Sequence, residues 1–166
     1  MAHNPPMPAS TQKTWDWPAA VIMARVALVN RWADERWEAC GVVRDGAPVP
    51  VMAQIDGRTQ TLYPGFMISL HRDEAEGYHY NITSPEPKVF VLWRMEDDVA
   101  RPKFLSVSYH EGSRWLDSGE SVDGVPLPPE LIWWMAEFVS LYYQPEEKKP
   151  RKYASNKDKG RMGNYS

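Results

Sequence analysis

Along most of the chain the apolar positions recur with the short period of strands, and only near residue 130 does the period lengthen to that of a helix. Ala19 to Val29 and Trp37 to Val43 are apolar runs of strand character, joined by the polar stretch Asn30 to Arg36. Arg44 to Pro50, with Asp-Gly and two prolines, predicts a loop, and Asp56-Gly57 a turn. Thr59 to His71 predicts a strand interrupted at Pro64-Gly65, followed by strands at Tyr78 to Thr83 and Lys88 to Arg94. Val89 to Trp93 is apolar on both faces, as a central strand covered on both sides requires. Phe104 to His110 alternates, with Leu105, Val107 and Tyr109 on one face. Pro128-Pro129 opens a helix that Gln144-Pro145 stops. Its inner face is Leu131, Trp134, Met135, Phe138 and Tyr142. The expected fold is α+β: a mostly antiparallel sheet, or a small partly open barrel, of six to seven strands with the C-terminal helix packed across it.

Length and charge add the domain plan. At 166 residues, 43% hydrophobic and 25% charged, the chain suits one globular domain, expected over 15–144. A Pro-rich leader (1–14) and a basic tail (145–166) flank it as flexible ends. The tail holds seven Lys or Arg against three acids, a net of +4, whereas the rest carries −7. Lys148, Lys149, Arg151 and Lys152 make it a candidate docking segment for an acidic partner, or simply a solubilising end. The acidic body disfavours nucleic-acid binding, because phosphates are met chiefly by Lys and Arg. No apolar run approaches the length of a spanning helix, no secretory signal opens the chain, and the lone Cys40 closes no internal disulfide. The cytoplasm is therefore the expected compartment.

Motifs for chemistry are missing. The sequence has no Gly-rich dinucleotide or phosphate loop, no G-x-S-x-G elbow, no H-E-x-x-H and no C-x-x-C, so neither a catalytic residue nor a resident cofactor is expected. Cys40, within an apolar strand, reads as a small buried hydrophobe. One pairing stands out. If 66–71 and 79–83 form a hairpin that buries Ile68, Leu70, Tyr80 and Ile82 together, His71 lies opposite His79. The two imidazoles, with Asp73 or Glu74 in the turn, would be candidate metal ligands, against the plainer reading of structural or surface histidines. In that arrangement Arg72, Glu74, Tyr78, His79 and Asn81 would converge as a pocket for a small molecule or cofactor. Trp133, on the polar side of the last helix, and the charged turn with Arg72, Asp73, Glu74 and Tyr78 are instead candidates for a protein-docking surface.

A longer resemblance bears on that choice. It runs through Asn30-Arg31-Trp32, Glu35-Arg36-Trp37, Leu70 to Tyr78 with Tyr80-Asn81, Ser84-Pro85 and Val89 to Arg94. It continues in Val107-Ser108-Tyr109, Glu111, Arg114 to Asp117, Gly119-Glu120, Val122 to Glu130 and Phe138-Val139. Together these resemble an uncharacterised proteobacterial family encoded beside molybdenum-dependent formate dehydrogenase genes. Some of its members are labelled molybdopterin-guanine dinucleotide biosynthesis proteins, although the chain lacks the Gly-rich loop a nucleotidyltransferase would need. The resemblance implies an accessory protein that docks onto a formate dehydrogenase subunit or maturation factor.

Overall fold

The computed structural model describes residues 14–145 apart from 31–32, 49–51 and 56. Residues 1–13 of the leader, Trp32 and the tail residues Lys148, Lys149, Arg151 and Lys152 lie outside the described residues. Among the described residues, seven strands form two antiparallel sheets. In the first, β1 (Asp16–Asn30), β2 (Ala33–Arg44), β3 (Met52–Ile55) and β4 (Arg58–Ser69) lie in the order β2-β1-β4-β3. In the second, β5 (Lys88–Glu96), β6 (Val99–Ser106) and β7 (Ser121–Pro126) lie in the order β6-β5-β7. The sheets remain separate and do not close into a barrel. β5 is the central strand that its two-sided apolar run predicts, with Val89, Val91 and Leu92 all buried.

Pro64-Gly65 does not interrupt β4. Ala19 pairs with Phe66 and Val21 with Tyr63, so two residues of β4 face Ala20 alone, and the strand continues through a bulge. A bulge suits a proline because the extra residue leaves the ladder, where a missing N–H costs nothing. Cys40 occupies a similar irregularity in β2, between the pairs Ile22 with Gly41 and Met23 with Ala39. It is half-buried, and burial pushes its thiol above the ordinary value.

Two segments differ from the predicted strands. Residues 78–82 belong to a helix, α1 (Ala75–Ile82), with Thr83 as its C-cap, entered through a single 3-10 turn at Arg72–Glu74. Ala75, Tyr78 and Ile82 recur at helical spacing, and Tyr80 and Ile82 alternate over too few residues to exclude that period. With no hairpin, the register placing His71 opposite His79 does not exist. Likewise β6 ends at Ser106, and Tyr109 and His110 open α2 (Tyr109–Asp117) instead of extending the strand. Its boundaries have local causes. The Glu111 amide donates to the Ser108 hydroxyl at 3.2 Å, an N-cap in the sequence pattern of a capping box. At the other end Gly119, at φ 84°, makes a left-handed turn in which Gly119 N–H donates to Leu116 O and Glu120 N–H to Trp115 O.

The last helix, α3 (Pro129–Tyr142), is where its spacing predicts, with Leu131, Met135 and Phe138 fully buried. Phe138 centres an aromatic cluster: its ring lies 5.1 Å from Trp15, 5.6 Å from Tyr78 and 4.7 Å from Tyr142. The core beneath joins Trp17, Val21 and Met23 of β1, Ile68 of β4 and Val89 and Val91 of β5. Asp123 of β7 ties the sheets together, accepting from the Ala39 amide and from Trp93 Nε1, each at 2.8 Å.

Candidate functional site

The polar residues most suggestive of chemistry gather where α1 meets α2, and they are occupied with one another. Glu74, at the entry to α1, accepts hydrogen bonds from the Ser108 hydroxyl and, at 2.6 Å, from Arg114 Nη2. Burial opposes ionisation of its carboxyl, but the Ser108 and Arg114 bonds outweigh it and hold Glu74 below the usual carboxylate range. Ser108 is completely buried, and Gly77 makes room for it: a Cβ at 77 would stand only 2.1 Å from the Ser108 oxygen. Asn81, 1% exposed, accepts from Lys88 N–H at 2.9 Å and donates to Lys88 O at 2.7 Å and Val107 O at 2.9 Å. It is thereby the joint between α1, the start of β5 and the end of β6.

The remaining candidates point to different places. Tyr78 is buried and its hydroxyl accepts from His71 N–H at 2.8 Å, with burial pushing its phenol well above the ordinary value. Arg72 lies over the Tyr142 ring, 4.3 Å from its centroid, and His79 stacks on Tyr143 at 4.8 Å. Asp73 is exposed beside Arg72. Thus Glu74, Tyr78 and Asn81 turn to partners within the scaffold, while Arg72 and His79 lie against Tyr142 and Tyr143 at the end of α3. His71 is exposed ahead of the 3-10 turn, and the described residues hold no group of three or more His, Cys, Asp or Glu able to bind a metal ion.

Trp133 stands apart from all of these. It is 79% exposed on the outer side of α3, and Leu141, two helical turns on, is 56% exposed. Tyr142, nine residues from Trp133, lies on the opposite side of the helix against Phe138 and Arg72. The structure therefore does not bring Trp133 and the Arg72 turn into one patch. Residues 18–152 match a family described as a protein of unknown function, DUF3305. The chain belongs to this family. No protein of curated function and no solved structure matches it. For this DUF3305 member the stretch from Leu70 to Asn81 is accounted for in part by packing, with Glu74, Gly77, Tyr78 and Asn81 turned inward or to neighbouring elements, while His71, Arg72, Asp73, Glu76 and Tyr80 are exposed.

Sequence reasoning missed α2 and the residues it exposes, Tyr109 and Leu116. The signals were Ser108 followed by Glu111 three residues later, and Gly119 beyond the last turn.

Proposed function

We propose that this protein is an accessory module that acts by docking to another protein, and that its partner is a formate dehydrogenase subunit or a factor in the maturation of that enzyme. The observation that carries the docking reading is the outer face of α3. A tryptophan there, 79% exposed, buries little in the fold and leaves a large apolar area in water, the type of side chain that anchors protein interfaces. Of the polar residues that would argue for an enzyme, Glu74, Tyr78 and Asn81 are hydrogen-bonded within the scaffold and Arg72 and His79 rest on the rings of Tyr142 and Tyr143, which favours docking over catalysis. The choice of partner rests on the resemblance. No described helix is long and apolar enough to cross a membrane.

The test is copurification of the tagged full chain from its own cells, scored by mass spectrometry for formate dehydrogenase subunits and maturation factors. The reading expects their recovery with the parent and their loss with Trp133→Ser, whose thermal midpoint should match the parent's. Recovery of the same proteins with Trp133→Ser would remove α3 as the docking face, and their absence from the parent would remove the partner.

A further inference from the structure

A cavity of about 380 Å³ lies between the 84–88 segment and α2, on the side of β5 that α2 covers. Its volume falls in the range of small-ligand sites. Pro85, Phe90, Tyr109 and Leu116 give it an apolar lining, and the Phe90 and Tyr109 rings stand nearly perpendicular, 88° apart with centroids 6.0 Å from each other. Gly112 permits this: a Cβ there would come within 2.7 Å of the Phe90 ring, so only a glycine lets α2 lie against it. Tyr109 and Leu116 are 48% and 55% exposed, so a ligand seated here would remove apolar surface from water.

Lys88 is the cation in this lining. Its backbone is clamped by the buried Asn81 amide, and its aliphatic stem crosses β7 at Gly124, where a Cβ would stand 2.6 Å from Lys88 Cδ. Its ammonium meets Glu86 at 3.3 Å, but that carboxylate is 83% exposed and such a pair is worth little in water. A ligand anion can take its place.

We propose that this cavity binds a small planar aromatic carboxylate, its ring held by Phe90, Tyr109 and Leu116 and its carboxylate by Lys88. The proposal is independent of docking through α3. It is tested by titrating the isotopically labelled full chain with 2-naphthoate and, separately, with uncharged 2-naphthamide, following backbone amide resonances. Saturable shifts are expected at Ser84, Gly112 and Ser113, with naphthoate binding about tenfold more tightly than the amide. Lys88→Met should erase that preference without weakening the amide. Glu86→Gln, a change at an exposed side chain that leaves folding intact, should tighten naphthoate about twofold by freeing the ammonium. Absence of saturation, shifts centred elsewhere, or equal affinity for the two probes in both the parent and Glu86→Gln would overturn the proposal.

Discussion

The junction of α1 with α2 and the outer face of α3 are opposites in how they use their side chains. At the junction, Glu74, Asn81 and Ser108 are polar and buried or nearly so, and each is matched by a partner. On α3, Trp133 and Leu141 are apolar and exposed. Polar groups withdrawn from water must find partners or cost free energy, so a buried and satisfied cluster is evidence of scaffolding. An exposed tryptophan satisfies no such requirement, and on the proposed function its explanation is a partner outside the fold. Glu74, Asn81 and Ser108 invite a chemical reading but tie scaffold elements together, whereas Trp133 invites a packing reading and is the residue on which the proposed docking rests.

This contrast can be broken most forcefully at Asn81. Asn81→Leu keeps the branched outline, at a larger volume, but leaves Lys88 N–H, Lys88 O and Val107 O without their partner. The expected loss is about 4 kcal/mol, measured by chemical denaturation. Gly77→Ala should cost about 3 kcal/mol, because its Cβ collides with Ser108 and the rigid His110 backbone lies 3.3 Å away. Pairing it with Ser108→Gly should recover part of that loss. Glu74→Gln is a smaller change, expected to cost about 1.5 kcal/mol at neutral pH. Its pH dependence has a definite sign. The folded carboxyl titrates below its unfolded value, so its contribution is complete above about pH 4.3 and is lost as pH falls through the folded value. Denaturation of parent and variant should therefore converge in acid. Trp133→Ser, at the far end of the scale, should change stability by less than about 0.5 kcal/mol.

The sequence made some of this division readable. α3 is legible because Leu131, Met135 and Phe138 sustain one face over several turns, and Trp133 falls outside it. β1, β5 and the 37–43 part of β2 are legible from apolar runs rich in β-branched residues, whereas Ala33 to Arg36, read as part of the polar connection, already belongs to β2. The junction was not, because its helices have only eight and nine residues. In α1 the buried set includes Gly77 and Asn81, which carry no hydrophobic signal, and the alternation of Tyr80 with Ile82 imitates a strand. In α2 the alternation of Leu105, Val107 and Tyr109 runs across the true boundary, which the Ser108 cap sets. β7 is short and contains Gly124 and Pro126, residues that usually mark turns. What the pattern could not show is that a side chain such as Asn81 would be used up by backbone partners at Lys88 and Val107, since the second comes beside it only once β5 and β6 are paired.

The most direct test of the contrast is a side-by-side thermal unfolding of Asn81→Leu and Trp133→Ser in the full chain. The account predicts that Asn81→Leu lowers the midpoint by more than about 10 °C while Trp133→Ser stays within about 2 °C of the parent. A Trp133→Ser midpoint that falls as far as that of Asn81→Leu would mean that α3's outer face belongs to the scaffold, and would contradict the assignment of docking to it.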